Sequence, residues 1–197
     1  QRQSHSFYPD HLWHNEEKVL FPENENNACK TYSQDLIHEQ ALKFIRDHKE
    51  QPFFAMLTYT LPHAELNLPH DSIYKMYETH SRRLLILVSL IKCMEVITPR
   101  RSPWPPLPPW SPGWIIRGDV MAELKELGLD KNTIVIFTSD NGPWLTEHEM
   151  VVPQVRLKDG KGTWWEGGFR VPAICWMPGK INPAINDEIM TSMDLYP

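Results

Sequence analysis

The run Thr133-Ile134-Val135-Ile136-Phe137-Thr138-Ser139-Asp140-Asn141-Gly142-Pro143 decides the fold. Its first six residues are almost continuously apolar and rich in β-branched side chains, the composition of a short strand covered on both faces. They run straight into a carboxylate, an amide and a Gly-Pro turn. Upstream, Val120, Leu124 and Leu127 fall on one face of a helix that begins at Asp119 and is closed by Gly128, and Asp130-Lys131-Asn132 turns the chain into the strand. The same order occurs earlier in the chain. Leu36, Ile37, Ala41, Leu42, Phe44 and Ile45 follow helical spacing, which predicts an amphipathic helix from Ser33 with Ser33 as its N-cap. Gln51-Pro52 stops that helix, Phe53 to Tyr59 reads as a second buried strand, and a loop from Leu61 to Leu66 follows. Ala173 to Met177, between Pro172 and Pro178, is a third short strand. Helix, breaker and strand, twice over, predict an α/β domain with a largely parallel sheet flanked by helices. Residues 1 to 30 show no periodicity and are expected to be loop.

The chain has 197 residues, enough for one domain with a real core. With 41% hydrophobic and 23% charged residues and a net charge of −5, it fits neither a disordered tail nor a basic nucleic-acid binder. The longest strongly apolar run, Leu84 to Ile91, is interrupted by Ser89. It falls far short of the roughly 20 residues that a membrane helix needs, so no membrane span is expected. Cys29, Cys93 and Cys175 are odd in number and widely spaced, which argues against a disulfide scaffold or a structural zinc cluster. The chain opens on Gln1 with neither an initiator Met nor an apolar leader, so an export signal is expected to be absent or already removed.

In open α/β sheets the ligand site lies off the carboxyl ends of the strands. Asp140 and Asn141 stand at such an end, where a carboxylate and an amide carbonyl offer the hard oxygens that calcium or magnesium prefers. The same residues are also ordinary turn chemistry. His63 follows the Phe53 to Tyr59 strand in the same way and could donate to an anion or act as a general acid, or make only a structural hydrogen bond. Lys161 sits in the flexible frame Asp159-Gly160-Lys161-Gly162-Thr163, which lets an ammonium reach a bound anion, although a solvated lysine is equally compatible. His5, His11 and His14 are read as surface residues.

Taken together, these segments form a recognisable set. Phe137-Thr138-Ser139-Asp140-Asn141-Gly142-Pro143, followed by Gly160-Lys161-Gly162-Thr163-Trp164-Trp165-Glu166-Gly167-Gly168-Phe169-Arg170-Val171-Pro172-Ala173, closely resembles the sulfatase family in its arylsulfatase A-like branch. Tyr59 to Glu65 and Asp194 to Pro197 match further family segments in the right order, and Tyr8 to Trp13 resembles a more loosely shared one. The resemblance implies an alkaline-phosphatase-like α/β fold, incomplete in this chain, and the hydrolysis of sulfate monoesters on sulfated carbohydrate or aryl sulfates. It implies a bound calcium ion and a periplasmic, secreted or lysosomal-type location. By residue, Asp140 and Asn141 match the family's later metal ligands, while His63 and Lys161 match its sulfate-contacting His and Lys. The family nucleophile is a formylglycine made from the Cys of a Cys-x-Pro-Ser-Arg motif, and none of Cys29, Cys93 or Cys175 stands in such a motif. The family's paired N-terminal aspartates are missing as well. A phosphodiesterase or phosphonate hydrolase of the same superfold stays open as an alternative, as does a non-catalytic calcium- or anion-binding relic.

Two blocks do not fit. Of 18 prolines, seven lie between Pro99 and Pro112, beside Trp104, Trp110 and Trp114. A stretch of roughly 20 residues without periodicity inside a compact domain counts against the element assignment there. Read one base earlier, Pro106 to Ile116 allows an amphipathic helix of the kind sulfatases carry there. Met150 to Leu157, shifted likewise, allows a glycine-rich loop leading into Lys158-Asp159-Gly160-Lys161. Blocks 81–117 and 150–157 are therefore expected to be frame-shifted, the rival being a Pro/Trp-rich insertion that packs as polyproline II or binds a partner.

Overall fold

A computed structural model of the chain describes residues 5–61, 63, 69, 112–143 and 157–195. The polypeptide enters through an antiparallel hairpin, β1 (His11–His14) and β2 (Glu17–Leu20), joined at Asn15-Glu16 with Asn15 at φ 56°. A 3-10 segment (Pro22–Asn27) leads to helix α1 (Ser33–Asp47). After it come helix α2 (Pro112–Glu126), strand β3 (Val135–Thr138), the single helical turn α3 (Glu166–Phe169) and strand β4 (Ala173–Trp176). The architecture is a small α/β domain in which two short antiparallel sheets are flanked by helices.

This corrects the largely parallel, alkaline-phosphatase-like sheet expected from the order of elements. β3 pairs with β4 in antiparallel register, Val135 opposite Trp176 and Thr138 opposite Ala173. Phe53 to Tyr59, read as a buried strand, lie in no strand. Their exposure alternates, with Phe54 85% and Met56 76% accessible. Element order reports which segments are apolar, whereas the ladder depends on which segments lie side by side. An antiparallel pair needs no helical crossover, and among the described residues the β3 to β4 connection holds one turn of helix, α3.

Helix α1 lies where expected, whereas α2 begins at Pro112 and not at Asp119, and so takes in the end of block 81–117. Ala41 and Ile45 of α1 and Leu124 of α2 are buried, as their spacing requires. Gly128, at φ 71°, occupies the left-handed conformation that ends α2 at little cost for a residue without Cβ. Ser33 is the first helical residue and Tyr32 the N-cap. The Ser33 hydroxyl donates to Ser6 O (3.3 Å) and its N–H to Phe7 O (2.9 Å), so the preceding chain does what a capping side chain would do. α1 and α2 are tied by a bidentate ion pair, Arg46 Nε to Glu123 Oε1 and Arg46 Nη2 to Glu123 Oε2, both 2.8 Å. Hydrogen bonding from that guanidinium holds the Glu123 carboxyl below its usual range. The contact partners on α2, Glu123 and Asp119, lie downstream of the first anomalous block. The frame-shift assigned to 81–117 and 150–157 falls largely outside the described residues.

Residues 5–30 are more ordered than expected. β1 and β2 escaped notice because every residue of β2 is exposed, leaving no apolar alternation to read. The organising residue there is Asn24. Its Nδ2 donates to Pro9 O and Thr31 O, each 2.8 Å, and its Oδ1 accepts from Lys30 N–H (2.9 Å) and Thr31 N–H (2.8 Å). A buried amide with all these bonds made is a structural centre. Asn24→Ala is expected to destabilise the chain by about 2–4 kcal/mol in urea denaturation. Asn24→Asp should be no better, since a carboxylate would then face two carbonyl oxygens. Unchanged midpoints would show that the loop does not depend on this residue.

Candidate functional site

Three backbone segments converge beyond the carboxyl end of β3. Gly142 N–H donates to Gly168 O (2.9 Å), Lys161 N–H to Pro143 O (2.8 Å) and Gly167 N–H to Lys158 O (2.9 Å). The approach is so close that a Cβ on Gly142 would overlap Gly167 O, one on Gly167 would overlap Asp159 O, and one on Gly168 would lie 2.5 Å from Thr163 O. Glycine is required at these three positions by space, whatever their φ. The loop carrying Lys161 is folded tightly on itself. Thr163 N–H and its hydroxyl both donate to Gly160 O, at 3.2 and 2.8 Å, and Asp159 (φ 65°) and Gly162 (φ 85°) make the left-handed bends.

Asp140, Asn141 and Lys161 are thus placed on abutting loops although some twenty residues of chain separate them. Asn141 Nδ2 donates to Gly142 O (3.0 Å), and Ser139 Oγ donates to Asn141 O (3.0 Å). The amide is thereby oriented with its nitrogen engaged and its carbonyl oxygen available. Asp140 is exposed, as is the Lys161 side chain, whose ammonium has no ion-pair partner among the described residues. The donor types suit a hard cation, but two side-chain oxygens do not make up the roughly 6 to 8 that calcium takes. Among the described residues no group of three or more His, Cys, Asp or Glu converges on one point.

His63 is placed by a different set of contacts. Its N–H donates to Thr60 O (2.9 Å), and its ring stands edge-on to His5 at 4.8 Å between centroids. The root of its loop is secured by residues that sequence reading missed. Gln34, fully buried in the first turn of α1, accepts from Thr60 N–H at 3.1 Å. His38 bridges Tyr59 and Asp119, with Nδ1 at 2.9 Å from the phenol oxygen and Nε2 at 3.3 Å from Oδ2. Because a carboxylate only accepts, a neutral His38 carries its proton on Nε2 and receives the Tyr59 hydroxyl proton at Nδ1. Burial, reinforced by the Asp119 charge, pushes the Tyr59 phenol up to about 12, so it remains a donor at any working pH. No periodicity in the sequence connects Gln34, His38, Tyr59 and Asp119. Of the histidines read as surface residues, His11 is buried and bonds Asp10 through Nδ1 (2.8 Å), His5 packs on His63, and His14 is exposed.

Comparison with known proteins bears on the same loops. Residues 117–197 match the family model described as Sulfatase. Over 195 residues the chain is 28% identical to the Arylsulfatase of Hemicentrotus pulcherrimus, covering 97% of this chain and 30% of that protein. Over 80 residues it is 42% identical to Arylsulfatase A of Homo sapiens, covering 41% of this chain and 16% of that protein. The chain therefore spans less than a third of the length of these relatives. The crystal structure of Ps i-CgsB in complex with k-i-k-neocarrahexaose matches with a TM-score of 0.53 and 25% identity, covering 79% of this chain and 30% of that one.

Proposed function

We propose that this chain, which matches the sulfatase family model over residues 117–197 and is distantly similar to arylsulfatases, is part of an enzyme that hydrolyses sulfate monoesters. The observation that supports this reading is the junction of the Asp140-Asn141 loop with the Lys161 loop through Lys161 N–H and Pro143 O. It joins the loop that bears Asp140 and Asn141 to the loop that bears Lys161, which supports reading them as parts of one site.

In this reading Lys161 donates to a sulfate oxygen and offsets the charge that builds there in the transition state. His63 gives a proton to the departing alcohol oxygen. Asp140 and Asn141 are the residues of this chain that would hold a calcium ion through Oδ atoms, the remaining ligands coming from sequence outside these 197 residues. Such an ion, when bound, neutralises negative charge on the sulfate. The nucleophile is expected on a Cys-x-Pro-Ser-Arg segment, which this sequence does not contain. The substrate we assign is a sulfated carbohydrate or an aryl sulfate. Blocks 81–117 and 150–157 are assigned to a shifted reading frame, which resequencing of the gene checks directly.

The test is to express the longer, frame-corrected protein and compare a nitrophenyl sulfate with a bis-nitrophenyl phosphate. Sulfate release with much slower phosphodiester cleavage is the expected result, and the isolated 197-residue chain should turn over neither. Preference for the phosphodiester would replace the reading with phosphoester chemistry. Turnover by the isolated chain would show that the nucleophile lies within it.

A further inference from the structure

Trp164 is 96% accessible, the most exposed of the large apolar side chains among the described residues. Within these 197 residues almost none of the burial that stabilises a tryptophan is available to this indole. Looseness of the local backbone does not account for it. Thr163, immediately before it, is held to Gly160 O by two bonds, and Gly167 N–H, three residues after it, is held to Lys158 O. The neighbouring Trp165 differs. Its ring is covered on one face by the Lys158 ammonium, 3.4 Å from the centroid, and it is only half exposed. The cations of the loop divide in the same manner. Lys158 lies on Trp165, and Arg170 pairs with Glu166 (2.9 Å), whereas Lys161 has no ion-pair partner among the described residues. Among the described residues one aromatic face and one ammonium are therefore left unengaged, Lys161 within the turn that Thr163 N–H closes on Gly160 O and Trp164 directly after it.

An aromatic face and a cation on the same short loop are complementary to a ligand that is apolar on one face and anionic at its edge. A pyranose ring offers axial C–H groups to stack on indole, and a sulfate ester supplies the anion. We propose that Trp164 is a stacking platform for the sugar ring of a sulfated carbohydrate whose sulfate is held by Lys161, and so a specificity-determining residue. This rests on the sulfate-binding role given to Lys161 above and adds the recognition of what carries the sulfate. In this proposal Trp164 contacts the sugar ring and not the ester bond. Its contribution falls on sugars and is absent for the bare anion.

The experiment titrates the 197-residue chain with galactose 6-sulfate, galactose and inorganic sulfate, following the indole ¹H–¹⁵N resonances. Galactose 6-sulfate should bind most tightly and shift the indole signal that Trp164→Phe removes. Trp164→Ala should weaken galactose 6-sulfate by about fivefold or more and leave inorganic sulfate unchanged, and Trp164→Phe should keep most of the affinity. Lys161→Ala should weaken both anions. Equal galactose 6-sulfate affinity in wild type and Trp164→Ala overturns the proposal, as does an absence of any galactose 6-sulfate binding by the wild-type chain. If Trp164→Ala weakens the sugar while Lys161→Ala changes neither anion, the platform stands and the role of Lys161 falls.

Discussion

Replacing Lys161 by Ala in the longer, frame-corrected protein lowers kcat/KM on a nitrophenyl sulfate about 10²- to 10³-fold, the loss that follows removal of one preorganised electrostatic contact to a developing charge. Little of this should appear as instability, because the side chain is exposed and the loop is held by its backbone, Lys161 N–H to Pro143 O (2.8 Å). Lys161→Arg should recover part of the rate, since it keeps the charge and shifts its position by about an ångström or more. His63→Ala should cost a similar factor on an alkyl or sugar sulfate and much less on the nitrophenyl ester, whose alcohol leaves without needing a proton. Near wild-type rates for both variants on both substrates would remove the two residues from the site.

Gly167→Ala and Gly142→Ala are expected to destabilise the chain by about 3 kcal/mol or more, the upper range for overpacking, because the added methyl meets backbone that has no rotamer to yield. On Gly167 the Cβ would overlap Asp159 O, and on Gly142 it would overlap Gly167 O. The damage should be local before it is global. Amide hydrogen exchange should show loss of protection at Gly142, Gly167 and Lys161, whose N–H groups form the junction, before it shows loss in α1. Gly118→Ala is the control. It lies in α2 with nothing within 4 Å of its Cβ position, so alanine there should be neutral or stabilising by about 0.5–1 kcal/mol. If Gly167→Ala were as mild as Gly118→Ala, the two loops would not abut as described.

These predictions draw unequally on what could be read beforehand. Asp140, Asn141 and Lys161 were selected from residue type and local frame. The abutment of their loops depends on Gly142, Gly167 and Gly168, whose role as spacers shows only once three backbones are in one place. Trp164 and Trp165 look alike in the sequence. One carries Lys158 on its face and the other faces water. The bond from Thr60 to Gln34 spans 26 residues and that from His38 to Asp119 spans 81, distances over which composition and periodicity carry no signal.

The sequence by itself determined the local elements: α1 and α2 through helical spacing of Ala41, Ile45 and Leu124, the end of α2 through Gly128, and β3 and β4 through short apolar runs between turn residues. Tertiary structure alone decided how those elements pair. β3 took β4 as an antiparallel neighbour, Phe53 to Tyr59 joined no ladder, Tyr32 took the N-cap from Ser33, and an all-exposed β2 formed a hairpin without any apolar pattern. The physical reason is that helical hydrogen bonds close within four residues and so answer to the local sequence. A strand's bonds, like the contacts of a site, are made to partners whose identity is known only when the chain has brought them together.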